Sequence, residues 1–142
     1  MSTTVRTPRE LVEQLFAALP ARDADAFVAL LAPDAVFEMP FVIPGQPVRL
    51  EGREQIREYL ASRWSGQSGV VVHDIDATVH ETLDPQVLIT EVDVELTRPG
   101  GERARIRTSV NVIHVQDGLV SLFRDYMDTA RVLGLAQLAQ QG

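Results

Sequence analysis

Over residues 70–128 apolar and polar side chains alternate with a period of two, and this limits the available folds more than any other feature. Four β-rich runs, 70–83, 86–98, 102–116 and 119–128, are separated by Asp84-Pro85, Pro99-Gly100-Gly101 and Asp117-Gly118, all turn-forming sequences. Long strands joined by tight turns predict an antiparallel meander. Such strands twist and curl, which leaves one face concave. Something apolar must fill that concavity, and the preceding residues supply it.

Within residues 7–64 three segments repeat at helical spacing. Thr7, Pro8 and Glu10 make an N-terminal signal for a first helix, in which Leu11, Val12, Leu15, Phe16 and Leu19 form one stripe up to Pro20. A second short helix begins at Asp23, buries Phe27, Val28, Leu30 and Leu31, and stops before Pro33. "DAVFEMP" reads as a short strand, "FVIPGQPVRLEG" as a Pro-rich loop, and "GREQIREYLASRW" as a third helix. A last helix, "TARVLGLAQLAQ", follows the meander, with Asp128 as its N-cap. Helices set into a curled sheet give an α+β cone, and residues 1–142 form a single domain.

The totals narrow the function. The chain has no cysteine, so disulfides and thiolate metal sites are excluded. A net charge of −7 argues against nucleic acid, which needs a basic face. No apolar run is long enough to span a membrane and the start lacks a signal-peptide core, so a cytoplasmic location is expected. His73 and His80 stand at odd separation on one strand, which places them on opposite faces, and His114 lies on another strand. No metal site is expected from them, and no nucleotide-binding or nucleophilic-serine motif is present.

Candidate site residues follow from strand parity. Glu91, Asp93 and Glu95 share one face of their run, and Arg105, Arg107, Ser109 and Asn111 share one face of the next. Two placements are open for these rows. They form a solvated outer ladder, or Asp93, Arg107 and Asn111 line the cone. In "LFRDYMD" Phe123, Asp125 and Met127 face one way, while Arg124 and Tyr126 face the other. Burial of Phe123 and Met127 would carry Asp125 into apolar surroundings, which raises a carboxyl pKa and suits it to acid/base work.

With these elements in place, the chain resembles the nuclear transport factor 2-like cone. More narrowly it is similar to the SnoaL-like, limonene-epoxide-hydrolase-like and phenazine-biosynthesis branches. The most specific matches are "LFAALPARDADAFVALLAPDAVFE", "LEGREQIREYL" and "RDYMD". Ketosteroid isomerases also resemble it, but their three working positions here hold Leu15, Asn111 and Met39. In the epoxide hydrolase pattern Asp125 and Asp93 match the two aspartates. Glu91 stands where an arginine is needed, Phe37 and Met39 stand for the tyrosine and asparagine, and Arg107 could substitute from the next strand. The acid of the phenazine branch also matches Asp125.

The resemblance implies cofactor-free acid/base chemistry on a hydrophobic oxygenated metabolite: cyclisation, isomerisation, dehydration or epoxide opening. Asp125 would be the proton donor or acceptor, with Asp93, Arg107 and Asn111 as catalytic partners. Phe16, Phe37, Met39, Phe41, Trp64, Phe123 and Met127 would wall the pocket under a lid formed by loop 41–50. The resemblance also implies a homodimer through the outer face of the sheet. The alternative is a non-catalytic ligand-binding or dimerising module of the same fold.

Overall fold

The computed structural model describes residues 6–41, 44–65 and 71–130. Its elements run α1 (Pro8–Ala17), α2 (Ala24–Val28), β1 (Leu31–Glu38), β2 (Arg49–Glu51), α3 (Arg53–Ser65), β3 (Val71–Glu81), β4 (Val87–Thr97), β5 (Arg103–Gln116) and β6 (Leu119–Met127). This is the expected α+β architecture, with six strands in the order β2-β1-β6-β5-β4-β3. The four long strands form the antiparallel meander, and β1 joins its edge by pairing in parallel with β6. A three-residue strand, β2, stands within what reads as loop in the sequence and pairs with β1.

Local chemistry accounts for the helix starts. The Thr7 hydroxyl accepts from the Glu10 backbone N–H at 3.1 Å, and Asp23 caps α2 by accepting from Ala26 N–H at 3.1 Å. The second helix is shorter than its apolar pattern suggests: it ends at Val28, and Leu31 and Pro33 already belong to β1. Pro33 is tolerated because the β1–β6 register shifts between Leu31 and Val36, an irregularity where a missing N–H costs nothing. Of the expected closing helix only Thr129 and Ala130 fall within the described residues, directly after Asp128.

Two register shifts matter more. In β3 the shift falls between Val72 and Asp74 at His73, and in the β4–β5 pair Val92 faces Ser109 while Asp93 faces Arg107, leaving Thr108 as an extra residue. Each bulge reverses the parity of everything beyond it. In β5, Ile106 is buried before the bulge, whereas Asn111, Ile113 and Val115 are buried after it. The extra residue is not left unsatisfied. The Thr108 carbonyl accepts from Asp128 N–H at 2.7 Å, so the end of β6 fastens the bulge.

The core fills the concave side. Leu11, Val12 and Leu15 of α1 are fully buried, as are Ile113 and Val120 of the sheet. Phe123 stands at the centre of an aromatic cluster, stacked on Phe37 at 5.2 Å between ring centroids and meeting Phe27 edge-on at 6.1 Å. Phe27 in turn meets Trp64 edge-on at 6.1 Å. It is 2% exposed and ties α2 to both α3 and β6. Phe27→Ala is expected to destabilise the fold by about 3–5 kcal/mol, as a lower denaturation midpoint with helical content retained below it.

Candidate active site in the cone

A cavity of about 590 Å³ lies between the helices and the concave face of β3–β6, within the roughly 300–1,000 Å³ range of small-molecule sites. Phe16, Phe37 and Phe123 line one part of its wall, with Val92, Val94 and Leu96 of β4 in another. Trp64 and Leu60 are contributed by α3. The walls are thus apolar, and the polar groups that reach the cavity are few.

The one carboxyl group among the described residues that line the cavity is Asp125. Its Oδ1 accepts from Asn111 Nδ2 at 2.9 Å, and Asn111 Oδ1 accepts from the Thr90 hydroxyl at 2.9 Å. Thr90 and Asn111 are 0% and 1% exposed, so this chain of hydrogen bonds is sealed within the sheet. Because the threonine hydroxyl donates to the amide oxygen, the NH₂ group is turned toward the carboxylate. Burial pushes the Asp125 carboxyl up from 3.8 to about 6, against the opposing pull of Arg63 and of the Asn111 hydrogen bond. Desolvation prevails because Phe123 and Met127 flank Asp125 along its face of β6.

Three further polar side chains come from outside the meander. Arg63 and Tyr59, one turn apart on α3, join through an Arg63 Nη1 donation to the Tyr59 hydroxyl at 3.0 Å. The Tyr59 hydroxyl lies 3.2 Å from Gln46 Oε1. These three residues, Asp125, Met127 and Met39 share an adjoining recess of about 10 Å³ with Phe41 and Pro47. That is close to the smallest space one water fills, beside enough polar groups to hold it. Neither arginine that lines the cavity, Arg22 or Arg63, stands out in the sequence. Arg63 shares its helix face with Tyr59 at i,i+4, which is the one sequence signal that could have found it.

The expected set divides. Asp125 and Asn111 come together, and Phe16, Phe37, Met39, Trp64, Phe123 and Met127 all line the cavity. Phe41 does not. It is 54% exposed, packs edge-on against Tyr126 at 5.6 Å, and touches only the recess. Gln46 and Pro47 are the residues of loop 41–50 that border the space, and 42–43 lie outside the described residues.

Asp93 and Arg107 belong to the opposite face of the sheet. Arg107 Nε donates to Asp93 Oδ1 at 2.9 Å and Nη1 to Glu91 Oε2 at 2.7 Å. The Thr108 bulge is the physical reason: strict alternation would align Arg107 with Asn111, and the extra residue separates them. The same effect corrects the histidines. His73 lies in a bulge, and its ring meets Thr97 at 2.6 Å, while His80 meets Glu91 at 2.7 Å. Both therefore stand on the outer face. Arg124 is there as expected, donating to Glu38 Oε2 at 2.9 Å.

Comparisons with known proteins agree with this architecture. The model of the SnoaL-like domain matches residues 12–123. An uncharacterised PhzA/B-like protein of Pseudomonas aeruginosa is 32% identical over 113 residues, which cover 78% of this chain and 77% of that protein. Among solved structures, a proposed isomerase of Bacillus subtilis superposes with a TM-score of 0.77 at 24% identity, covering 90% of this chain and 91% of that one. SalBIII, an epoxide hydrolase/cyclase-like enzyme of pyran ring formation in the polyether salinomycin, gives 0.64 at 23% identity, over 87% and 92%. At these identities the structural likenesses establish the fold. The family match, spanning most of the chain, establishes more: the protein is a member of the SnoaL-like domain family.

Proposed function

We propose that this protein is a cofactor-independent enzyme that moves a proton on a hydrophobic, oxygenated small molecule bound in the cone, with Asp125 as the acid/base. The observation that carries this reading is a single carboxyl group, raised to about 6 by burial, at the wall of an open apolar cavity. A group with that pKa is mostly ionised near neutrality and can take a proton from carbon or water. It then holds the proton long enough to return it to another atom of the same substrate. Asn111 is a positioning residue that orients the carboxylate, itself fixed by Thr90.

Cyclisation, isomerisation and epoxide opening all need such a group beside an apolar wall. SalBIII, of the same fold, is an epoxide hydrolase/cyclase-like enzyme of pyran ring formation. A non-catalytic binder of the same fold would be favoured by a filled cone with Asp125 locked to an arginine. Here the cone is open, and Asp125 is held by a neutral amide. The same reading includes a homodimer through the outer face, where Val110 is 37% exposed and pairs in register with Tyr126. Light scattering should give twice the 15.7 kDa chain mass, and a monomer at micromolar concentration would count against it.

Catalysis is tested with 2-tetralone as a probe, by following exchange of its α-hydrogens with deuterium by NMR. Wild-type protein should accelerate exchange over buffer, with a rate that rises with pH through about 6 as the Asp125 carboxylate forms. Asp125→Asn should lower the protein-dependent rate by about 10²–10⁴-fold. Unchanged exchange in that variant would remove Asp125 from the mechanism. Asn111→Leu removes a hydrogen bond that favours the ionised form, so the midpoint should move upward, by roughly one pH unit. A midpoint that stays in place, in a folded variant, would deny Asn111 its positioning role.

A further inference from the structure

Outside the cavity every described arginine has a hydrogen-bonding or ionic partner, and where that is not a carboxylate it is the Gln14 side chain, for Arg6, or the Leu31 carbonyl, for Arg53. The chain carries 20 acidic and 13 basic residues, and most of its arginines stand against carboxylates. Arg49 meets Glu38 at 2.8 Å, Arg57 meets Asp25 at 2.6 Å, and Arg107 meets Asp93 at 2.9 Å. The two arginines that line the cavity have no such partner among the described residues. Arg22 makes no side-chain hydrogen bond or ion pair with them, and its backbone, at φ 52°, belongs to the tight turn closed by Arg22 N–H to Leu19 O at 2.9 Å.

Arg63 is the more informative of the two. Its guanidinium gives one hydrogen bond to the Tyr59 hydroxyl and a long one to the Met127 sulfur at 3.8 Å, a weak acceptor. The remaining N–H groups of its planar fork meet no acceptor among the described residues. It borders both the cavity and the recess that also contains Asp125. An acidic chain that leaves a guanidinium without an ion pair beside an apolar cavity has a site shaped for an anion with a hydrophobic body.

We infer that the ligand of this cone is a hydrophobic acid, whose carboxylate or enolate oxygen is held by Arg63 while its apolar body lies along the Phe123 wall. The inference rests on the reading of the cone as the substrate site, and Arg63 is a specificity-determining residue within it. Tyr59 braces the guanidinium, and Arg22 adds a second positive charge to the same space. The other charged group there is Asp125. An anion at Arg63 and a carboxylate at Asp125 repel, so acid binding favours the protonated Asp125 and strengthens as the pH falls through about 6.

The test is binding, so it is independent of turnover. Trp64 is the only tryptophan and lines the cavity, which makes its fluorescence a direct reporter. The probes are 4-cyclohexylbutanoate and 4-cyclohexylbutan-1-ol, equal in apolar body and different in charge. The acid should bind about tenfold or more tightly than the alcohol near neutral pH. Arg63→Gln should abolish that preference while leaving the alcohol affinity within about threefold, and Arg63→Lys should restore part of it. Asp125→Asn should tighten the acid, leave the alcohol unchanged and remove the pH dependence.

Equal affinity of the two probes in the wild type, binding of neither, or a preference that survives Arg63→Gln would overturn the inference. Failure of Asp125→Asn to slow probe exchange would instead overturn the acid/base reading, without touching the acid preference.

Discussion

One extra residue in one strand decides which polar groups this protein turns inward. With Thr108 inserted between the pairs Val92–Ser109 and Asp93–Arg107, the strand after the bulge faces the other way. Arginines that alternate on the outer face give way to Ser109 and Asn111 on the inner one. The bulge also increases local twist and bend, which lets long strands curl around helices rather than lie flat. Its free carbonyl is satisfied by the backbone of Asp128, just beyond Met127. The same few residues therefore shape the concavity, place the amide in it, and hold the end of the strand that carries the carboxylate.

Once Asn111 points inward, the rest of the site is constrained. A buried amide needs partners for both its oxygen and its nitrogen. Thr90, directly opposite on β4, takes the oxygen, and Asp125, directly opposite on β6, takes the nitrogen. Three adjacent strands each contribute one group to a line of hydrogen bonds across the sheet. This line gives Asp125 a single fixed donor, which weakens the effect of desolvation without cancelling it. Full pairing with an arginine would pull the carboxyl well below its usual range, and an apolar setting alone would keep it protonated at neutral pH. Arg63 and the amide together leave it between these limits.

Most of the fold was legible because it depends on patterns that survive local irregularity. Turn dipeptides, the Thr7 and Asp23 caps and the change of period mark the elements directly. The aromatic wall was equally legible, since Phe16, Phe123 and Trp64 occupy apolar faces whose orientation burial dictates. What parity counting could not supply was a bulge, which has no composition of its own: Thr108 is an ordinary strand residue. That one omission put Arg107 with Asn111, and a second at His73 put two histidines on opposite faces. Arg63 and Tyr59 escaped for another reason. They lie on a mostly polar helix, whose cavity-facing side is defined by tertiary packing rather than by its own pattern.

The sheet carries two kinds of charge, and the contrast between them supports Asp125 as the proton carrier of the proposed reaction. On the outer face, Arg107 lowers the Asp93 carboxyl from its usual range, and Arg105 adds to the effect from 3.7 Å. That carboxylate is compensated, partly solvated and a poor proton carrier, and exposed pairs of this sort contribute under about 1 kcal/mol each. On the inner face, Asp125 moves in the opposite direction because the loss of water outweighs the pull of Arg63 and of the Asn111 hydrogen bond. Neutralising Arg107 against Asp93 and Glu91 keeps the ladder inert, whereas Arg63, joined to Tyr59 rather than to an acid, keeps its charge available beside Asp125. The protein thus pairs most of its surface arginines with acids and leaves the cone with one carboxyl and two guanidiniums that form no ion pair among the described residues.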